Sequence, residues 1–94
     1  MVIVTLTYKR SLDEVDKHGP AHVAWLTQCY DAGLLIASGR KVPRVGGVII
    51  AKGTMASVKA LCENDPFHVS GVADHEFTEV EIVYTAAGLG ALKS

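Results

Sequence analysis

The chain is poor in cysteine. Cys29 and Cys62 are the only two in 94 residues, where small secreted domains usually carry a dense disulfide framework. Both fall in apolar helical patterns, which predicts buried free thiols rather than a bridge. Charge of one sign is also lacking. Nine Lys and Arg nearly match ten Asp and Glu, for a formal net charge of −1. Without a basic field there is little to hold a polyanion, so nucleic acid is not an expected partner. No apolar run approaches the ~20 residues that span a bilayer. The opening MVIVTLTYKR has neither the basic start, the long apolar core nor the cleavage site of a secretory leader. The expectation is a cytoplasmic protein with no membrane partner. A nucleophile elbow, a phosphate-binding loop and a dinucleotide fingerprint are all absent from the sequence, and no cofactor is expected.

What is abundant is apolar. Hydrophobic residues make up 49% of the chain, more than a monomer of this size hides, which points to a self-association surface and a homodimer. Val2 to Tyr8 alternates with period two and predicts a strand with both faces partly covered. Ser11-Leu12-Asp13-Glu14 fits a capping box at a helix start. Val15, His22, Leu26, Cys29 and Gly33 continue a helical stripe, broken at His18-Gly19-Pro20, where Pro20 suits the first turn of a second helical segment. Gly33 is placed to end that helix. Leu34 to Ser38 reads as a short strand, residues 39–47 as a basic glycine-containing hairpin loop, and Val48 to Ala51 as the next strand. Thr54 is the expected N-cap of a helix that turns Met55, Val58, Leu61 and Cys62 inward. Asp65-Pro66 ends that helix, and Phe67 to Gly71 forms a short turn. Ala73 to Tyr84 is expected as one long strand with a bulge between Phe77 and Val80.

The order β-α-β-β-α-β is that of an α+β, ferredoxin-like fold. Two helices would cover one face of a four-stranded antiparallel sheet. The other face would pack on a second subunit. Residues 1–84 form the domain and residues 85–94 a C-terminal tail, expected to lie on a partner subunit.

His22 is the most informative side chain. It lies on the apolar stripe one turn before Leu26, so its imidazole should face the sheet, where it can take or give a proton near neutral pH. A buried histidine satisfied by a backbone carbonyl would show the same pattern. Asp65, before Pro66, is placed either to fix one ring nitrogen of a histidine or to cap the short segment after it. Ser38-Gly39-Arg40 offers a hydroxyl and N–H groups to an anionic or phenolate oxygen, with charge from Arg40, Lys41 and Arg44; a solvated hairpin loop is the plainer alternative. His18 and His22 stand four apart, but Gly19-Pro20 between them spoils a chelating geometry and no third ligand has motif spacing, so no metal is expected. His68 and His75 read as surface or interface residues, and Trp25 as core or dimer packing.

Three segments carry a family resemblance. Gly19-Pro20-Ala21-His22-Val23-Ala24-Trp25-Leu26, then Ala32-Gly33-Leu34-Leu35 with Ala37-Ser38-Gly39, then Asn64-Asp65-Pro66-Phe67 with Gly71-Val72, resemble in order the motifs of the YciI-like (YCII-related) proteins. The resemblance implies a dimeric α/β barrel and a site centred on His22 and Asp65, with Phe67 beside Ser38, Gly39 and Arg40 in the substrate-binding set. Gly19 stands where that family commonly has arginine, and Arg40 where it commonly has proline, so the substrate anchor is expected to have moved. Some members are dehydrochlorinases of chlorinated hydroxyhydroquinones, and related barrels include muconolactone isomerases and polyketide cyclases. The implied activity is therefore cofactor-free proton transfer on a small phenolic or anionic ring compound. A non-catalytic binding or accessory dimer is the alternative.

Overall fold

The computed structural model describes residues 1–93. Its elements run β1 (Val2–Tyr8), α1 (Leu12–Lys17), α2 (Gly19–Asp31), β2 (Leu35–Arg40), β3 (Gly46–Ala51), α3 (Met55–Cys62), α4 (Pro66–Val69) and β4 (Ala73–Glu79), with a 3-10 turn at Gly90–Leu92. The sheet order is β2-β3-β1-β4, and every pairing is antiparallel. This is the α+β, ferredoxin-like architecture that the element order predicts.

Alternation along β1 decides the layers. Val2, Val4 and Leu6 are buried on the helix side, in one core with Trp25, Cys29, Val58, Cys62 and Phe67. Ile3 and Thr5 face the other way and are only half-buried. They sit opposite Ile50 and Val48 of β3, which are also half-buried. The helices start as their caps dictate. The Ser11 hydroxyl accepts the Glu14 N–H at 3.3 Å. Thr54 and Ser57 form a reciprocal capping box. The chain breaks at His18, and Pro20 lies in the first turn of α2. Gly33 closes that helix with φ +74°, a left-handed conformation that suits glycine. Cys29 and Cys62 are buried free thiols.

Two strand boundaries differ from expectation. β4 ends at Glu79 rather than Tyr84, and its register on β1 is unbroken from Ala73 to Glu79. The reason is the extent of its partner: Glu79 pairs with Val2, where β1 begins, and the Val80 N–H reaches the Met1 carbonyl at 2.9 Å. The irregularity lies instead in β2, between Leu35 and Ala37. The hairpin is also tighter than expected, since β2 runs on to Arg40 and β3 begins at Gly46. Of the expected tail, residue 94 lies outside the described residues. Among the described residues no helix is long and apolar enough to cross a membrane.

Candidate active site

Asp65 is the hinge of the site. It is the N-cap of α4, and its Oδ1 accepts the Phe67 N–H at 3.0 Å. The same oxygen lies 2.7 Å from Nδ1 of His22, on α2. The other oxygen lies 2.8 Å from Nε2 of His75, on β4. Asp65 is wholly buried. Burial alone would push its carboxyl up, but the hydrogen bonds from His22 and His75, the His22 charge and the Phe67 N–H outweigh it and hold the group down at about 2. At neutral pH Asp65 is thus an ionised carboxylate, which only accepts. Both imidazole nitrogens that face it must therefore carry hydrogen. His22 donates through Nδ1, leaving Nε2 as its basic nitrogen.

Stacking fixes the His22 ring. It lies on Phe67 with centroids 3.9 Å apart and planes 5° from parallel, and Trp25 flanks it at 6.0 Å. His22 forms part of the wall of a cavity of about 300 Å³ between α2 and the strands β1, β2 and β3. Ser38, Gly39, Arg40 and Phe67 line the same cavity. The structure thus gathers all four expected substrate-binding residues around His22, while Asp65 stands behind the ring. The Ser38 hydroxyl pairs with the Tyr30 hydroxyl at 2.7 Å, which orients it. Of the basic loop, Arg44 also lines the cavity, whereas the Lys41 ammonium binds the Thr7 hydroxyl at 3.3 Å and is not part of the wall.

Two residues that the sequence reading passed over complete the cavity mouth. Tyr8 stands edge-on to Phe67, at 6.0 Å and 87°, with the Arg44 guanidinium 5.9 Å from its ring centre. Asp16 accepts a hydrogen bond from Arg44 at 2.5 Å, and this contact lowers the Asp16 carboxyl. Arg40 lines the cavity beside Arg44, and its charge also helps to lower the Asp16 carboxyl. Such a set favours a ligand oxygen that carries or develops negative charge.

His75 is the larger correction. It was expected at the surface or an interface, yet its side chain is 3% exposed and bound to Asp65. The signal was in the strand phase: His75 shares a face with Ala73 and Phe77, both packed in the core, but the flanking Asp74 and Glu76 disguise it. Asp65 is also not a choice between cap and histidine partner, since its Oδ1 does both. Among the described residues no group of three or more His, Cys, Asp and Glu is arranged to hold a metal ion.

Comparison with known proteins bears on the fold and the family. No curated protein sequence matches the chain. Among solved structures, 5-chloro-2-hydroxyhydroquinone dehydrochlorinase from Burkholderia phenoliruptrix AC1100, in complex with 2,5-dihydroxybenzoquinone, superposes with a TM-score of 0.70. The match covers 85% of this chain and 93% of that one, at 19% sequence identity, and so bears on the fold. The sequence profile of the YCII-related domain matches residues 1–83, the whole sheet with its helices, and the chain belongs to that family.

Proposed function

We propose that the protein is a cofactor-free acid/base enzyme acting on a small phenolic ring compound, most specifically a dehydrochlorinase of a chlorinated hydroxyhydroquinone, working as a cytoplasmic homodimer. The observation that supports this most is the 2.7 Å contact between His22 and a buried, ionised Asp65 at the wall of a cavity that also holds Arg40. In this reading Nε2 of His22 takes a proton from a ring hydroxyl, and Asp65 stabilises the imidazolium that forms. The phenolate charge is met by Arg40 and the Ser38 hydroxyl. The charge moves through the ring to the chlorine-bearing carbon, which takes the proton back from the His22 imidazolium, and loss of a second hydroxyl proton to His22 then expels chloride with the carbon–chlorine bonding pair. The ring has lost one proton and one chloride and becomes a hydroxyquinone, with no external oxidant. The solved relative's name gives the substrate class; the cavity volume suits a single ring.

The dimer has its own support. Ile3, Val48 and Ile50 form an apolar patch on the sheet face that no helix covers, the surface through which two sheets would pack. The segment after β4, through residue 93, is proposed to lie on the partner.

Chloride release from 5-chloro-2-hydroxyhydroquinone tests the activity. The unaltered protein should release chloride, and His22→Ala should lower turnover by at least ~10²-fold with its circular dichroism unchanged. No release by the unaltered protein, despite binding of 2,5-dihydroxybenzoquinone, would favour the non-catalytic binder. Release undiminished in His22→Ala would overturn the role of the histidine.

A further inference from the structure

His75 has no place in the reaction as drawn, yet it is built into its centre. Its Nε2 donates to Asp65 Oδ2 at 2.8 Å, which leaves Nδ1 as the second ring nitrogen. That atom is buried and has no hydrogen-bond partner. His75 lines a second cavity, of about 600 Å³, bounded by β4, α3 and α4 rather than by α2 and β2. One buried carboxylate therefore carries two imidazoles, each bordering a different cavity.

We propose that His75 is a positioning residue that sets the basicity of His22 through their shared carboxylate, and that protons reach it at Nδ1 from the second cavity. This rests on His22 being the proton-accepting group of the site. The reasoning is electrostatic. While His75 is neutral, its N–H fixes Asp65 Oδ2 and the full carboxylate charge remains to stabilise a His22 imidazolium. Once Nδ1 takes a proton, His75 is a cation bonded to the same carboxylate, and much of the field that His22 depends on is cancelled. The two rings thus compete for one negative charge in a buried setting, where such competition is strongest. No proton need pass through Asp65, because both histidines donate to it.

The groups around His75 set the conditions. The His68 ring of α4 stands perpendicular to it at 5.6 Å. Cys62, Lys59 and Glu63 of α3 line the same cavity. The thiol of Cys62 is pushed up to about 12, mainly by burial, and stays neutral. Lys9 is paired with Asp74 at 3.0 Å, and Glu76 completes the charged rim. His75 and His68 are the two imidazoles on this rim, and the His68 ring lies against His75.

The test is a pH titration of the imidazole nitrogens by ¹⁵N NMR on the full chain. In the unaltered protein, at the alkaline end of the titration, His75 should show hydrogen on Nε2 and a bare Nδ1. The His22 signals should move in two steps, one coinciding with the titration of His75. In His75→Gln, whose amide can still donate to Asp65 but cannot titrate, the His22 curve should collapse to one step. The pH profile of chloride release should lose the matching inflection. A single-step His22 curve in the unaltered protein, or hydrogen on Nδ1 of His75 at the alkaline end of the titration, would overturn the proposal; both are read without a variant having to fold. If that happens while His22→Ala still abolishes chloride release, only the role of His75 falls. If the coupling is seen but no chloride is released, the substrate reading falls and the coupling stands.

Discussion

The rings of His22 and Phe67 lie face to face, 3.9 Å apart and within 5° of parallel, and both residues donate to the same oxygen of Asp65, one through Nδ1 and the other through its backbone N–H. The first turn of a four-residue helix therefore fixes the imidazole, the carboxylate and the wall of the cavity in one piece. This is the arrangement expected when a reactive group must be held by packing rather than by a ligand.

The carboxyl of Asp65 makes stability depend on acid. Its value falls from the usual 3.8 to about 2 in the folded chain, so its stabilising effect is present above the unfolded value and is lost as pH falls from about 4 through about 2. The size is about 2 kcal/mol. Urea unfolding at steps between pH 5 and pH 2 should show this loss, and Asp65→Asn, though less stable at neutral pH, should lack that share of the slope. An equal slope in both chains would refute the assignment.

The second cysteine makes stability depend on base. Burial raises the Cys62 thiol to about 12. An unfolded chain loses this proton near 9 and the folded one does not, so stability falls as pH rises from about 9 toward 12. At pH 8 the native thiol should react with iodoacetamide only as fast as the chain opens. Labelling at the rate of a free thiol in native conditions would contradict this.

Two glycines of the hairpin should behave oppositely. A Cβ built on Gly46 falls 1.8 Å from the Leu6 carbonyl oxygen, whereas one on Gly39 meets nothing within 4 Å. Gly46→Ala should force β1 and β3 apart and destabilise the fold by about 3 kcal/mol or more. Gly39→Ala should leave the melting temperature nearly unchanged while reducing the cavity, weakening 2,5-dihydroxybenzoquinone. Similar melting temperatures for the two variants would falsify the close pairing of β1 with β3 at Gly46.

Arg44 should matter for ligand more than for stability. Its pair with Asp16 is partly open to solvent and so contributes little to stability, but its place on the cavity wall beside Tyr8 offers a charged donor to a ligand oxygen. Arg44→Ala should weaken 2,5-dihydroxybenzoquinone about tenfold or more, measured by calorimetry, with little change in unfolding. Undiminished affinity would remove Arg44 from the site.

Local chemistry explains what the sequence made visible. Proline and glycine at His18-Gly19-Pro20, Gly33 and Asp65-Pro66 mark boundaries because they restrict or free the backbone where they stand, and the structure breaks at each. His22 and Asp65 were visible for the same reason: one lies on a helical stripe, the other before a proline. The end of β4 was not, since it depends on where β1 begins, far away in sequence. Nor was the burial of His75, which a rim of acids on alternate positions masks. Arg44 and Lys41 sit three apart in one loop, and only the path of that loop sends one to the cavity and the other to Thr7.

The double engagement of Asp65 Oδ1 has a consequence for how variation at this position would be read. A survey scoring variants only by cellular abundance would flag Asp65 as intolerant, because α4 loses its first-turn acceptor whatever the chemistry of the protein. The same survey should pass His22 far more readily, since a stacked ring at that place can be replaced by another aromatic. Setting abundance beside turnover across all substitutions would therefore separate the two neighbours, one needed by the fold and the proposed reaction alike, the other chiefly by the proposed reaction.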